Sequence, residues 1–212
     1  MTVEAPSPAP AAEGPAEQSA RAGVTVPRAS AWWVLIAGVV GLAASLTLTI
    51  EKVELLKDPS YRPTCSINPV LSCGSVMVTP QASVFGFPNP LMGIVAFSVV
   101  LVTGVLAVSR VALPRWYWLG LAGGTLLGAG FVHWLIYQSL YTIGALCPYC
   151  MVVWAMTIPL LAAVSSIALQ PLGKYGVARV AYSWRWSLVA LWFATVIVLI
   201  LVQFWYYWST LI

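Results

Sequence analysis

The chain contains 212 residues, of which 60% are hydrophobic and only 8% are charged, and its mean hydropathy is +0.89. An ordinary soluble domain is about one quarter charged, and so short a chain has too little interior to hide this much apolar surface from water. The composition therefore excludes a soluble enzyme and a disordered protein. The net charge of +4 comes from scattered Lys and Arg, not from a basic cluster, which excludes a nucleic-acid binder.

The N-terminal segment differs in kind from the rest of the chain. Residues 1–30 are rich in Ala, Pro, Glu and Ser and contain no aromatic residue. Such a segment cannot bury enough apolar surface to offset its conformational entropy, so we expect a disordered cytoplasmic tail. It lacks the basic start and the short apolar core of a secretory signal peptide.

Five segments are long and apolar enough for transmembrane helices, each of which needs roughly 20 apolar residues. They are residues 31–50, 90–109, 116–141, 147–169 and 187–208. Trp and Tyr cluster near several segment ends, as in the aromatic belts of membrane proteins. The sequence therefore predicts an all-α integral membrane protein, with a four-helix transmembrane bundle over 31–170, a basic cytoplasmic loop over 171–186, and a fifth transmembrane helix within 187–212. Five glycines in the third segment predict close helix packing there: Gly120, Gly123, Gly124, Gly128 and Gly130.

Orientation follows from the distribution of Lys and Arg. The tail, the loop after the second segment and the loop after the fourth carry Arg21, Arg28, Arg110, Arg115, Lys174, Arg179 and Arg185. The opposite side carries only Lys52, Lys57 and Arg62. Because cytoplasmic loops are enriched in Lys and Arg, we expect a cytoplasmic N-terminus and an extracytoplasmic C-terminus in a bacterial inner membrane.

The loop over residues 51–89 is long, extracytoplasmic and almost uncharged after Arg62. Loops of this length are usually functional. It contains Cys65 and Cys73, while Cys147 and Cys150 begin the fourth segment at its extracytoplasmic end. Topology derived from charge alone thus places all four cysteines on the oxidising side, where thiols form lasting disulfides.

The Cys-Pro-Tyr-Cys motif at 147–150 lies where a helix begins, and a helix N-terminus stabilises a thiolate. Two other interpretations stay open for the cysteines: a structural disulfide in the loop, or a zinc site with four sulfur ligands. The apolar residues around the motif and the proline inside it favour redox chemistry over metal binding. Two cysteine pairs at one end of a bundle favour a two-step electron relay over both alternatives.

These motifs resemble the vitamin K epoxide reductase family, in particular its bacterial, actinobacterial-type quinone-linked members. The resemblance rests on the eight-residue spacing of Cys65 and Cys73, on Gly-Phe-Pro-Asn at 86–89, and on Ile-Gly-Ala-Leu-Cys-Pro-Tyr-Cys at 143–150. It extends over about residues 31–170. It implies a four-helix bundle that encloses a quinone, with menaquinone the expected electron acceptor and no metal. Many relatives carry a fused thioredoxin-like domain as their redox partner. This sequence ends at Ile212, soon after the fifth segment, so we expect its thioredoxin-like partner to be a separate extracytoplasmic protein.

The resemblance also implies a role for each cysteine. Cys150 matches the cysteine nearest the quinone, and Cys147 matches its partner. Cys73 matches the loop cysteine that forms a disulfide with Cys147, and Cys65 the one that resolves it. Asn89 matches a hydrogen-bond donor to a quinone oxygen, Trp154 replaces a tyrosine of some relatives, and Thr79 occupies a Ser/Thr position of the loop.

An apolar pocket lined by Phe131, Trp134 and Trp154 would exclude water and accept a prenylated ring. His133, the only histidine, lies within the third segment. It is either a histidine bonded to a neighbouring carbonyl or a quinone contact and proton donor. The function expected is oxidation of the thioredoxin-like partner with transfer of electrons to a membrane quinone, which drives disulfide formation in exported proteins. The alternatives are vitamin K epoxide or quinone reduction for cofactor recycling, and a non-enzymatic membrane protein with structural disulfides.

Overall fold

The computed structural model describes residues 23, 24, 26–170 and 176–210. Of the tail expected to be disordered, residues 1–30, residues 1–22 and 25 lie outside the described residues, whereas Gly23–Val24 form a short strand and a helix begins at Arg28. Within the described residues, seven α-helices follow one another: α1 (Arg28–Lys57), α2 (Cys73–Met77), α3 (Asn89–Val108), α4 (Arg115–Tyr137), α5 (Pro148–Ala168), α6 (Gly176–Gln203) and α7 (Trp205–Trp208). A π-helical segment, Gln138–Ile143, continues α4, and a short 3-10 helix spans Pro80–Ser83. Two antiparallel two-residue strands, β1 (Gly23–Val24) and β2 (Leu113–Pro114), pair with each other.

Five of the described helices are long and apolar enough to cross a membrane, which confirms the predicted class. They are α1, α3, α4 with its π-helical extension, α5, and residues 182–203 of α6. Most side chains on their outer surfaces are exposed apolar residues, as expected for helices whose solvent is lipid. The chain is a multi-pass membrane protein.

Two helices extend further than hydropathy indicates. Helix α1 begins at Arg28 and continues to Lys57, so Glu51 and Lys52 belong to it and do not end it. Helix α6 begins at Gly176, inside the segment expected to be a loop. A hydropathy window ends a span at its first charges, whereas a helix continues when those side chains reach polar partners near the membrane surface.

Helix α1 packs against α3 and α5, and α5 packs against α4. Glycines allow the closest of these contacts: a Cβ atom at Gly38 would lie 2.6 Å from the Cα of Leu101, and one at Gly104 would lie 2.5 Å from the Cα of Leu35. The glycines of α4 do not have this role. A Cβ at Gly120, Gly123 or Gly130 would meet nothing within 4 Å. The close packing predicted for the third segment is wrong there, and the small residues that bring helices together lie on α1 and α3.

Helix α6 lies on the outside of the bundle. Its Trp192 Nε1–H donates a hydrogen bond to His133 Nε2 on α4 at 2.8 Å, and the rings of Trp186 and Trp33 are 5.7 Å apart. Its Ile200 and the following Phe204 pack in the cluster that contains Val132 and Trp154. Helix α6 thus supports α4 and α5, the helices that lead to the cysteine motif.

Candidate functional site

All four cysteines lie at one end of the bundle, which we call the cysteine end. Cys65 and Cys73 form a disulfide with a Cα–Cα distance of 5.6 Å. Cys73 is the first residue of α2, which is capped by Ser72: the N–H of Ser75 donates to the Ser72 hydroxyl at 3.3 Å. Cys73 is fully buried and Cys65 is 5% exposed. Cys65 is therefore the less completely buried of the two.

Cys147 and Cys150 are free thiols at the start of α5. Cys147 caps the helix, because its sulfur accepts a hydrogen bond from the backbone N–H of Cys150 at 3.5 Å. Pro148 occupies the first helical position, which needs no N–H donor. Cys147 is 1% exposed, whereas Cys150 is half-buried and faces the interior of the bundle.

The central distance of the site joins the two pairs: Cys73 Sγ lies 3.0 Å from Cys147 Sγ. Backbone pairing holds the two segments together. Leu71 and Leu146 form a parallel β-bridge. The N–H of Ser72 donates to the Leu146 carbonyl at 2.9 Å, and the N–H of Leu146 donates to the Val70 carbonyl at 2.7 Å. The loop thus pairs through its backbone with the segment before the Cys-Pro-Tyr-Cys motif, and this pairing places the sulfurs of Cys73 and Cys147 in contact.

Local hydrogen bonds favour the thiolate form of Cys147. The pKa of Cys147 lies below its usual range because the Cys150 thiol donates a hydrogen bond to it, and backbone N–H groups of Cys150 and Tyr149 add to this effect. Burial and the charge of Glu51 act in the opposite direction. Cys147 is therefore a better nucleophile toward the neighbouring disulfide than a cysteine with an ordinary pKa.

The sulfurs of Cys65, Cys73 and Cys147 all lie within 4.8 Å of one another, a spacing that could also suit a metal ion. Metal ligation needs thiolates, however. In the form observed, Cys65 and Cys73 are joined in a disulfide and have no thiolate to offer. The cluster in this form is arranged for exchange between a thiol and a disulfide.

An apolar cavity of about 740 Å³ lies beside the motif and between the helices of the bundle. Cys147 and Cys150 line it near the cysteine end, and Gln81 and Phe85 of the loop also line it there. Toward the other end, the hydroxyls of Thr103 and Tyr117 lie 2.5 Å apart and connect α3 to α4. The volume falls in the range of cavities that enclose a small-molecule ring.

Three of the residues predicted to contact a quinone line this cavity: Asn89, Phe131 and Trp154. The Trp154 side chain is 3% exposed, and its Nε1–H has no hydrogen-bond partner among the residues that the structure describes. The Asn89 amide donates to the Gln81 carbonyl at 2.7 Å and accepts from the Val84 N–H at 3.1 Å. Since an amide carries two N–H donors, one remains available to a ligand.

The other three predicted residues do not line the cavity. Trp134 stacks on Phe131 from outside, with ring centroids 5.7 Å apart. The Thr79 hydroxyl donates to the Val76 carbonyl at 2.7 Å within the loop. His133 bonds through Nδ1 to the Ala129 carbonyl at 2.7 Å and through Nε2 to Trp192, so both of its nitrogens already have partners. Its position matches the interpretation of a histidine bonded to a neighbouring carbonyl.

Several residues of the site were not predicted from the sequence to belong to it. Glu51 and Lys52 contact the loop, and Gly120, Gly124 and Gly128 line the cavity. An acidic residue within a helix at the membrane surface is a signal that could have identified Glu51. The glycines carry no such signal, because their spacing suits a packed interface and a cavity wall equally well.

Fold and site define a multi-pass helical membrane protein in which a disulfide and two free thiols meet beside an apolar cavity. The family model described as the vitamin K epoxide reductase family matches residues 32–165, more than half of the chain. The chain therefore belongs to the vitamin K epoxide reductase family, an oxidoreductase family of membrane redox and disulfide chemistry that uses quinones and works with thioredoxin-like partners. No curated protein matches the chain.

Proposed function

We propose that this protein oxidises a separate thioredoxin-like protein and passes the electrons to a membrane quinone, so that the partner can form disulfides in exported proteins. The observation that carries the proposal is the 3.0 Å contact between Cys73 Sγ and Cys147 Sγ beside the apolar cavity. A purely structural disulfide needs no free thiol against it. Here the loop pair touches a second pair that lines the cavity, as an electron relay requires.

Electrons enter at Cys65, the more accessible sulfur of the loop disulfide. A thiolate of the partner attacks Cys65 and forms a mixed disulfide, and the Cys73 thiolate leaves. The second thiol of the partner then breaks the mixed disulfide, so that the partner becomes oxidised and Cys65 is released. The freed Cys73 lies beside Cys147 without any further movement of the chain.

The second exchange passes the electrons inward. Cys73 attacks Cys147 of a Cys147–Cys150 disulfide, and the Cys150 thiolate leaves. Cys65 then attacks Cys73, which re-forms the loop disulfide and releases Cys147. The product has a loop disulfide and two thiols at the motif, which is the redox form that the structure describes. The electron pair and two protons of these thiols pass to the quinone, which leaves as the quinol, and the Cys147–Cys150 disulfide re-forms.

The cavity supplies an environment that suits a quinone ring. Its apolar walls exclude water, and the Trp154 Nε1–H, which no described residue accepts, is a buried donor for which a quinone oxygen is a suitable acceptor. The free N–H of Asn89 is a second donor, and Phe131 offers a ring face. Donors directed at a carbonyl oxygen stabilise the negative charge that develops there during reduction. We propose menaquinone as the physiological acceptor, on the strength of the resemblance.

The charge distribution supports an orientation with the N-terminus in the cytoplasm and the cysteine end outside. In that orientation the loop disulfide faces the compartment where disulfides persist and where an exported partner would reach it. Reduction of vitamin K epoxide would use the same cavity. We favour disulfide generation because the disulfide at the outer edge of the site can accept electrons from a protein thiol.

The decisive experiment is Cys150→Ser in the purified protein, with reduced dithiothreitol as donor and ubiquinone-1 as acceptor. We expect quinone reduction to fall on the order of 10³-fold or more, as when a reacting nucleophile is removed. Mass spectrometry of the variant before dithiothreitol is added serves as the control, because the Cys65–Cys73 disulfide should be retained in it. Undiminished turnover would show that Cys150 is not the donor. Comparing menaquinone with ubiquinone-1 in the native protein tests the acceptor.

A further inference from the structure

The relay opens its own loop disulfide in every cycle, which raises a geometric problem. Once the Cys65–Cys73 bond is broken, the disulfide no longer holds the segment that carries Cys65. Yet Cys65 must return to attack Cys73 and release Cys147. A non-covalent contact near Cys65 is therefore needed to keep this sulfur within reach.

Glu51 makes such a contact. Its side chain is buried, with the residue 5% exposed, in the last turns of α1. The carboxylate accepts hydrogen bonds from the Tyr61 hydroxyl at 3.0 Å, from the Thr64 N–H at 3.2 Å and from the Thr64 hydroxyl at 2.5 Å. Thr64 is the residue directly before Cys65. Within the part of the chain that the structure describes, no Lys, Arg or His forms an ion pair with Glu51.

A buried carboxylate without an ion pair is costly unless hydrogen-bond donors satisfy it. At Glu51 all of the donors come from the segment between α1 and Cys65, so the carboxylate and that segment stabilise each other. The next residue of α1 holds the other half of the loop: Lys52 Nζ donates to the Met77 carbonyl at 2.6 Å, at the end of the short helix that begins with Cys73. Adjacent side chains of α1 thus hold the segments of both loop cysteines.

We propose that Glu51 is a positioning residue that keeps the Cys65 segment against the bundle while the loop disulfide is open, so that Cys65 returns to Cys73. The inference rests on the proposed relay. It assigns to Glu51 a specific step, the resolution of the Cys73–Cys147 disulfide. Hydrogen bonds to a charged group are the strong ones, so their loss should slow that step markedly.

The test is Glu51→Gln under turnover with reduced dithiothreitol and ubiquinone-1. Samples are quenched with acid, blocked with N-ethylmaleimide and analysed by mass spectrometry for the Cys73–Cys147 disulfide. We expect the fraction of this disulfide to rise about tenfold over that in the native protein. The Tyr61 and Thr64 hydroxyls donate to different oxygens of Glu51, and a glutamine side chain has only one acceptor oxygen. The substitution therefore weakens the contact with Thr64. A Cys73–Cys147 fraction equal to that of the native protein would overturn the proposal.

Glu54→Gln is the matched control. Glu54 is on the same helix end, but its side chain is 44% exposed and, among the described residues, bonds only to Lys57, at 2.8 Å. This variant should keep the native fraction of the Cys73–Cys147 disulfide. A rise equal to that in Glu51→Gln would overturn the proposal, because the loss of any nearby carboxylate would then produce the same effect. If Glu51→Gln does not fold, Thr64→Val provides the test, because it removes one donor and should give a smaller rise in the same direction. No rise in Thr64→Val would then count against the proposal.

A third variant separates this inference from the relay itself. Cys65→Ala removes the resolving sulfur, so the Cys73–Cys147 disulfide should persist in it. If it never forms there, the relay is wrong and the role of Glu51 is wrong with it. If it forms in Cys65→Ala and stays at the native level in Glu51→Gln, the relay stands and Glu51 has no part in resolving it.

Discussion

Cys147 shows how much of the site's chemistry depends on one residue's immediate neighbours. Its sulfur caps α5, receives the hydrogen bond of the Cys150 thiol and touches Cys73. The pKa of Cys147 is lowered by those donors, so its thiolate is available at a lower pH than that of an ordinary cysteine. The same residue can therefore act as the leaving group in one exchange and as the nucleophile in its reverse.

Trp154 allows a residue-scale test of the quinone site. Trp154→Phe keeps an aromatic ring in the cavity wall and removes the buried Nε1–H that has no partner among the described residues. If this group donates to a quinone oxygen, the KM for ubiquinone-1 should rise about fivefold to tenfold, as expected for one lost hydrogen bond. Steady-state kinetics of the reconstituted protein measure the change.

The matched control for Trp154→Phe is Trp118→Phe. Trp118 is fully buried, and its Nε1–H also lacks a partner among the described residues, but it does not line the cavity. We expect its KM for ubiquinone-1 to stay unchanged. Equal effects of the two variants would mean that the loss reflects general packing and not a contact with quinone.

At the scale of elements, the pair α1 and α3 forms the most tightly packed part of the bundle. Helix backbones approach closely only where small residues meet, and in a membrane such contacts drive association because lipid provides no hydrophobic force between helices. Gly38 and Gly104 provide these contacts. Helix α4 packs against α5, and the cavity occupies the space beside it.

Gly104→Ala should therefore destabilise the bundle. The added Cβ would lie 2.5 Å from the Cα of Leu35, so the backbones of α1 and α3 must separate, at a cost of about 1–3 kcal/mol. The unfolding temperature of the protein in detergent measures this effect. Gly123→Ala is the control, because its Cβ would meet nothing within 4 Å and alanine favours the helix. An unfolding temperature for Gly104→Ala that matches the control would contradict the packing described.

The elements of the fold differ in how well the sequence predicts them. Charge and hydropathy predicted the membrane helices, and the cysteine spacing and motifs led to the correct family. The C-terminal end of α1 was misplaced because Glu51 and Lys52 reach polar groups of the loop, a tertiary contact that no hydropathy window contains. Likewise, the position of His133 in sequence does not specify which face of α4 it occupies. Its bond to Trp192 depends on where α6 lies, and that becomes visible only in the folded chain.

At the scale of the whole molecule, the fold separates two regions of different chemistry. The cysteine end carries the disulfide, the free thiols and the loop that joins α1 to α3. The opposite end carries the paired strands β1 and β2 and the basic residues Arg28, Arg110 and Arg115. The apolar cavity lies between the two ends. The proposed function uses this separation, because it requires a protein thiol and a membrane quinone to reach the same cysteines from different phases.

This arrangement makes the orientation in the membrane testable. Ile67→Cys and Val111→Cys, each in a background with the four native cysteines replaced by alanine, introduce one thiol at opposite ends of the molecule. Both positions are well exposed, at 68% and 45%. Because Arg28, Arg110 and Arg115 lie at the end that carries Val111, the positive-inside rule predicts that this end is cytoplasmic. Intact cells treated with a membrane-impermeant maleimide should label Ile67→Cys at once and Val111→Cys only after permeabilisation. The reverse pattern would put the cysteines in a reducing compartment, where the loop disulfide could not serve as the entry point for electrons from an exported partner.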